Sequence, residues 1–417
     1  MKRIFLDYAS SYANPSAIHK EGVLARRKIE KAREGIARIL GAQSDEIIFT
    51  SSGTESNNLA ILGVVNQARQ VNQARQVNTV PHIVTTNIEH PSVLEVYKYL
   101  EKTGQAEVTY VPVEPNGIVD PKKIKEALRL NTVLVSVMYA NNEIGTIQPI
   151  TEIAKIIRNF RKSLTPPNPP LTKGRAQGGV YFHTDACQAV NYLPINVSKL
   201  GVDLMTFNGS KIYGPKGVGA LYKKRIVPLE PIMHGGGQEF GLRPGTENLP
   251  AIVGLTRALE ITEKMKEKEV KRLTKLRDYF ISQLVHSNIL TNVRMLINGD
   301  LTSRLPNNVN ISIVPMDNIR AAPRSEQSSG TGVDQSLIES ELLVLELDAR
   351  GIAVSSKSAC KSEEIGESYV IKAIRPEASS VAGSIRFSLG RNTKKEDIDY
   401  VLRSLKHILE KLKRWYN

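Results

Sequence analysis

Apolar positions along the chain alternate between short runs and a helical period, and each change of spacing marks an element. Leu24, Ile29, Ile36, Ile39 and Leu40 form an irregular helical stripe that Gly41 ends, and Asn14-Pro-Ser16 reads as its cap. A short strand at residues 46–50 feeds the small-residue turn Ser51-Ser-Gly53-Thr54, which opens the next helix. Backbone N–H groups at such a helix start suit a phosphate. Further strands are predicted at residues 83–86, 108–113, 132–140, 181–185 and 204–207, with helices starting near Pro91, Pro121 and Ile150. The 132–140 run is almost continuously apolar, as in a strand covered on both faces. Strands alternating with helices predict an α/β fold with a mainly parallel, doubly wound sheet.

After residue 250 the pattern changes. A long helix without Gly or Pro beyond Gly254 runs to about residue 286 and is expected to bridge two domains. Strands at 293–297, 309–314 and 384–389 follow, and a final helix over 395–415 presents Ile398, Val401, Leu402, Leu405, Ile408 and Leu412 to a core. This part reads as a smaller α+β domain. The Pro/Gly-rich stretch 163–179 and the polar stretch from about 317 to 336 read as insertions. The hexapeptide Val65-Asn-Gln-Ala-Arg-Gln70 is repeated at once as residues 71–76, a surface extension of a helix or its loop.

Composition excludes several classes. At 417 residues, 41% hydrophobic and 24% charged, the chain can bury a large core. It has no apolar run of membrane-spanning length and no signal-peptide layout at residues 1–7, so a cytoplasmic location is expected and no membrane partner. The net charge of +14 is spread over helices where Lys and Arg mix with Glu. Solvated helix faces explain it better than a nucleic-acid site, and an acidic protein partner stays open. Two cysteines cannot make a disulfide framework, and no metal site is expected.

The candidate chemistry lies at strand ends. Thr54, His90, Asn142, Asp185, Gln188 and Lys211 all fall at carboxyl ends of predicted strands, where a doubly wound sheet binds its ligand. Lys211 alone could be a surface lysine in a plain turn. Asp185 at the end of a second apolar strand changes that balance, because an acid on the pyridinium nitrogen accompanies the Schiff-base lysine of pyridoxal 5'-phosphate (PLP) enzymes. His90 precedes Pro91 and could equally be a helix cap. Cys360 lies in a small, polar loop, residues 355–368, a setting that favours an accessible, reactive thiol. Cys187 follows an apolar strand and reads as inert packing.

Taken together, the segments resemble the cysteine desulfurases of the NifS/IscS kind, in the class V aminotransferase group of PLP enzymes. The resemblance rests on Leu6-Asp-Tyr-Ala9, Asn14-Pro-Ser16, Phe49-Thr-Ser-Ser-Gly-Thr-Glu-Ser-Asn-Asn58, Glu89-His90, Asn141-Asn-Glu-Ile-Gly145, His183-Thr-Asp-Ala-Cys-Gln188, Lys211-Ile-Tyr-Gly-Pro-Lys-Gly217, His234-Gly-Gly-Gly-Gln238, Ser358-Ala-Cys360 and Ser384-Ile-Arg-Phe-Ser-Leu-Gly-Arg391. It implies PLP fold type I: a large domain with a mainly parallel seven-stranded sheet between helices over residues 14–260, and a small domain from 1–13 and 261–417. Lys211 would carry the cofactor, Asp185 would hold its ring nitrogen protonated, Gln188 would bond its hydroxyl and His90 would stack on the ring. Gly53 and Thr54 would hold the phosphate with Asn208 and Ser210 nearby, and Thr246 would reach the phosphate of a neighbouring subunit, implying a homodimer. Asn142 and Arg386 would hold the carboxylate of L-cysteine. Cys360 would take the sulfur as a persulfide, release alanine and pass the sulfur to an acceptor such as an iron–sulfur scaffold.

The sequence departs from the family pattern at Ser210, where His is usual, at Asn208, where Ser is usual, at Lys357, where Gly is usual, and in a short segment between Ala9 and Asn14. A related selenocysteine lyase or aminotransferase is the alternative enzyme. A degenerate scaffold that binds partners through its basic surface is the alternative without catalysis.

Overall fold

The computed structural model describes Asp7 and residues 13–164, 179–286, 293–315, 340–356, 368–375 and 383–416. The chain divides into two compact units, one from Met1–Val111, Pro121–Tyr139 and Pro149–Lys266, the other from Pro112–Asp120, Ala140–Gln148 and Glu267–Asn417.

The first unit is built on a seven-stranded sheet. Its strands are β1 (Ile47–Thr50), β2 (His82–Thr86), β3 (Glu107–Val111), β4 (Thr132–Ser136), β5 (Tyr181–Asp185), β6 (Leu204–Asn208) and β7 (Gly219–Lys223), in the order β1-β7-β6-β5-β4-β2-β3. The run from β3 to β6 is parallel, whereas β7 is antiparallel to both β1 and β6. Helices α1 (Lys20–Leu40), α2 (Gly53–Ala74), α3 (Pro91–Lys102), α4 (Pro121–Ala127), α5 (Ile150–Leu164) and α6 (Val197–Leu200) connect or flank the strands, followed by the first half of α7 (Leu249–His286). Every residue of β1 and β2 is buried, which explains runs without a polar alternation. Ile48, Leu59, Ile61, Ile83, Tyr97, Leu134, Leu204 and Leu221 pack in one core cluster.

The second unit carries a three-stranded antiparallel sheet, order β10-β9-β8, from β8 (Val293–Ile297), β9 (Asn308–Pro315) and β10 (Gly383–Ser388). The rest of α7, α8 (Ser340–Asp348), α9 (Tyr369–Ile374) and α10 (Lys395–Tyr416) belong with it. Phe280 of α7 meets Phe387 of β10 edge to face, centroids 5.1 Å apart, within a core that includes Ile311, Leu343, Leu347, Leu405 and Ile408. The α10 stripe read from the sequence is the face this core uses: Ile398, Leu405, Ile408 and Leu412 are buried, with Val401 and Leu402 packed against them.

Two expectations are corrected. Helix α1 is capped by His19, whose ring accepts from Gly22 N, while the Asn14 side chain accepts from Ser16 N in a turn of its own. The apolar run 132–140 stops being a strand at Ser136; Ala140 instead pairs with Ile147 in a tight turn that belongs to the second unit. The first unit runs to Lys266, and the segments Pro112–Asp120 and Ala140–Gln148, the latter carrying Asn142, group with the second unit. Of residues 1–13, Asp7 bonds His19 of α1 at 3.2 Å, which ties it to the first unit. The duplicated hexapeptide forms the end of α2, and its second copy is half-buried to exposed. Both proposed insertions lie almost wholly outside the described residues; Ser163 and Leu164 alone belong to α5. No helix among the described residues is long and apolar enough to cross a membrane.

Candidate active site

In the first unit the carboxyl ends of four strands run directly into polar turns or helix starts. After β1, Ser52 caps α2 by accepting from Glu55 N, so Gly53 and Thr54 form the first turn of that helix. Gly53 has no room for a side chain: a Cβ there would come within 2.8 Å of Cys187 Sγ and 3.2 Å of Asn208 Nδ2. Three strand ends (β1, β5 and β6) thus close around one helix N-terminus.

After β2 comes His90, the N-cap of α3. The cap reading of this residue is the one its bonds display. Its Nδ1 accepts from Ser92 N at 3.1 Å and lies 2.8 Å from Ser92 Oγ, so the neutral ring carries its proton on Nε2. Burial holds the imidazole below its ordinary pKa; the Asp185 carboxylate pulls it up and the Lys211 ammonium pushes it down.

Asp185 closes β5 and is almost fully buried. It accepts from Asn57 Nδ2 at 2.8 Å and from Cys187 N at 2.9 Å. Asn57 also donates to Ser92 Oγ at 2.8 Å. One hydrogen-bonded chain therefore runs from Asp185 through Asn57 and Ser92 to His90. Sequence reasoning missed Asn57 and Ser92. Asn57 stands one helical turn after Gly53, so the period of α2 alone turns it to the same face.

Glu89, also missed, is wholly buried beside this chain and accepts from Thr86 Oγ1 at 2.7 Å and Met138 N at 2.9 Å. Burial pushes its carboxyl up to about 8; the two hydrogen bonds pull it down and the Asp185 charge pushes it up again. Burial also raises the Cys187 thiol, as does Asp185, in keeping with an unreactive cysteine.

After β6, Asn208 leads into the short 3₁₀ turn Gly209–Lys211, and Ser210 and Lys211 are exposed there. The Lys211 charge is felt at both His90 and Cys187, which places it among these groups. Gln188 is half-buried in the turn after β5. Thr246 lies exposed at the end of the glycine-rich loop 234–248. That loop is fixed by a buried Arg33–Glu239 pair at 2.8 Å and by Arg243 on Glu55 of α2 at 3.0 Å.

In the second unit Asn142 sits in the turn Asn141-Asn-Glu-Ile-Gly145, and the Asn141 side chain accepts from Glu143 N at 2.8 Å and Ile144 N at 3.0 Å. Asn142 Oδ1 is buried with no hydrogen-bond partner among the described residues. Arg386 of β10 donates from Nη1 to Asn142 O at 2.9 Å, so the two residues assigned to the substrate carboxylate are neighbours. Cys360 lies outside the described residues. No group of His, Cys, Asp and Glu suited to a metal ion occurs among the described residues.

The profile of the aminotransferase class-V family matches residues 1–165 and 167–401. The chain belongs to that family. Within it the chain groups with the cysteine desulfurases. The cysteine desulfurase IscS of Dictyoglomus turgidum is 42% identical over 99% of this chain and 96% of its own length. The IscS of Methanosarcina thermophila is 40% identical over 97% of this chain and 86% of its own. Among solved structures, a NifS-like protein is 33% identical with a TM-score of 0.76, covering 95% of this chain and 91% of its own. The structure of SspA in complex with cysteine is 30% identical with a TM-score of 0.67, covering 91% of each chain. The seven-stranded, mostly parallel sheet is the fold these relatives share.

The family implies PLP, and the first unit fits it. A helix start that excludes any Cβ suits a phosphate. A buried aspartate fixed by an asparagine suits a pyridine nitrogen. Asn57 Oδ1, buried with no partner among the described residues, remains as an acceptor on the same wall.

Proposed function

We propose that this cysteine desulfurase uses PLP to remove sulfur from L-cysteine, giving L-alanine and a persulfide on Cys360. The observation that carries the reading is the hydrogen-bonded chain Asp185–Asn57–Ser92–His90 with the Lys211 charge beside it. The cysteine desulfurase relatives, matched over nearly the whole chain, supply the reaction class.

Bound PLP supplies an electron sink next to the substrate α-carbon. Lys211 Nζ would hold the cofactor and move the substrate's α-proton. Asp185, kept in place by Asn57, would hold the ring nitrogen protonated, and Gln188 would bond the ring hydroxyl. Gly53, Thr54, Asn208 and Ser210 would hold the phosphate, with Thr246 contributed to the neighbouring subunit of a homodimer. His90, whose pKa burial holds below its ordinary value, would stack on the ring and offer the Nε2 proton. Arg386 and Asn142 bind the substrate carboxylate, and an arginine does so with two parallel bonds.

The Cys360 thiolate then attacks the sulfur of the bound L-cysteine. A sulfur–sulfur bond forms, the carbon–sulfur bond breaks, and its electron pair stays on the β-carbon, which a proton converts to the methyl of alanine. One cysteine and one thiol give one alanine and one persulfide, so no outside oxidant is consumed. The persulfide then passes its terminal sulfur to a thiol of an acceptor protein, such as an iron–sulfur scaffold, in the cytoplasm.

The test is release of alanine and sulfide from L-cysteine with a thiol reductant, after the visible spectrum is recorded. Wild type should be yellow and release both products in equal amounts; Cys360→Ala should stay yellow and release neither. Undiminished release by Cys360→Ala would move the assignment to a lyase that needs no protein thiol.

A further inference from the structure

Arg243 belongs to the glycine-rich loop 234–248 and has no place in the reaction described above, yet it reaches the turn assigned to the cofactor phosphate. Its Nε donates to Glu55 Oε1 at 3.0 Å. The other oxygen of that carboxylate, Oε2, accepts from Ser51 N at 2.8 Å and from the Ser51 hydroxyl. Glu55 N donates to Ser52 Oγ at 3.2 Å, the bond that caps α2. One carboxylate therefore joins the loop to the first residue of the turn Ser51-Ser-Gly53-Thr54.

The loop is held firmly enough to act as a brace. Glu239 and Phe240 both adopt left-handed backbone, at φ 45° and 60°, a conformation that costs energy in residues with a side chain. Bonds to the buried Glu239 carboxylate offset that cost: it accepts from Arg33 Nη1 at 2.9 Å, Arg33 Nη2 at 2.8 Å and Phe49 N at 2.8 Å. The Arg33 guanidinium lies 4.8 Å from the ring centroid of Phe49 and 5.0 Å from that of Phe240. Phe49 is in β1, the strand that ends in the phosphate turn. The loop is thus anchored to this strand through Glu239 and to the turn after it through Arg243.

Glu55 poses an electrostatic problem at this place. It lies in the first turn of α2, next to Thr54, where a carboxylate and a phosphate would share one helix N-terminus. Burial pushes its carboxyl up, but the bonds from Ser51 and the Arg243 guanidinium outweigh burial and hold it below its ordinary value. A carboxylate left alone there would repel the phosphate. Paired with Arg243, it fixes Ser51 without adding net charge.

We infer that Arg243 is a positioning residue of the cofactor site: it holds Glu55 on Ser51 and offsets its charge, so that the Ser51–Thr54 turn accepts an anionic phosphate. The inference rests on the PLP reading above and states how the chain itself prepares the turn for that group.

PLP and pyridoxal, which lacks the phosphate, would each be titrated into apoprotein of wild type, Arg243→Ala, Arg243→Lys and the double variant Arg243→Ala/Glu55→Gln. Binding is read from the visible band and folding from thermal melts. Arg243→Ala should weaken PLP binding about tenfold, the worth of one charge-assisted bond, and leave pyridoxal little moved. Arg243→Lys should lose less, because the charge remains. The double variant should recover most of the PLP affinity, since the neutral amide still accepts from Ser51 and no longer repels the phosphate. Equal losses for PLP and pyridoxal in Arg243→Ala would overturn the inference and leave the pair a structural tie. Unchanged PLP affinity would overturn it as well, and so would a double variant as weak as the single one. If Arg243→Ala does not fold, Arg243→Lys and the double variant carry the same comparison. Uptake of neither compound by wild type would bring down the PLP reading itself. Wild type that takes up PLP, beside variants that match it, would bring down the inference alone.

Discussion

The two units hold their functional side chains in different ways. In the first, the groups sit where a strand ends and the next turn or helix begins, and each takes at least one of its bonds from a residue close to it in sequence. Ser52 caps α2, His90 caps α3, and Asp185 accepts from Cys187 N two residues on. In the second, Asn142 sits in a turn whose far side is held by residues distant in sequence: Asn308, Asn310 and Ser368 all bond Glu143. Strand-end sites are assembled as soon as the sheet forms. The Asn142 turn requires its whole unit to be folded. Cofactor binding should therefore respond to changes in the first unit, and substrate affinity to changes in the second.

The largest expected effect is that of Lys211→Ala, which should abolish turnover by at least about a thousandfold and remove the visible band, since no other described amine occupies that strand end. Next, Arg386→Ala should raise KM for L-cysteine by roughly ten- to a hundredfold, the worth of a charge-assisted bond, and leave the PLP content of purified protein unchanged. Arg386→Lys should recover little, because an ammonium cannot make the paired bonds. A smaller pair of changes sharpens the contrast. Asn57→Ala leaves Asp185 without its side-chain donor and should weaken PLP binding about tenfold with KM little moved. Asn310→Ala, at the Glu143 carbonyl, should raise KM a few-fold with PLP affinity unmoved. Titration of PLP into apoprotein, beside steady-state kinetics, reads both; equal effects on both quantities in either variant would dissolve the distinction.

The mildest expectation concerns acid. His183 lies buried in the sheet between Ser136 Oγ at 2.8 Å and Thr206 Oγ1 at 3.1 Å, and burial lowers it to about 4. The unfolded chain binds this proton near 6.5, so the histidine's contribution is complete above that pH. It is lost progressively as pH falls from about 6.5 toward 4. Thermal melts over that range should show a fall in Tm, shallower in a His183→Gln variant that still folds.

This contrast also decides what could be read from the sequence. The positions of Asp185 at the end of an apolar strand and of Lys211 in the turn just after another were legible, because the apolar run is a one-dimensional signal. The parallel order was legible from alternation, and the small unit from its change of period. Strand β7 was not, because Gly219 and the Gly/Pro-rich residues before it read as loop, whereas β7 is held by pairing on both sides. His19 displaced Asn14 as the cap of α1 because the helix starts later than the Asn-Pro signal suggests. Asn57 needed only the helical period from Gly53. Glu143 and Ser368 had no such signal, since nothing in a linear sequence pairs residues 225 apart.

The most direct measurement is the mass of the peptide bearing Cys360 after one turnover of L-cysteine by the yellow holoenzyme without reductant. A single added sulfur atom on Cys360, matched by one alanine per subunit and absent in Lys211→Ala, is the outcome expected of a PLP-dependent desulfurase. Alanine formed with Cys360 unmodified, or sulfur found instead on Cys187, would contradict it.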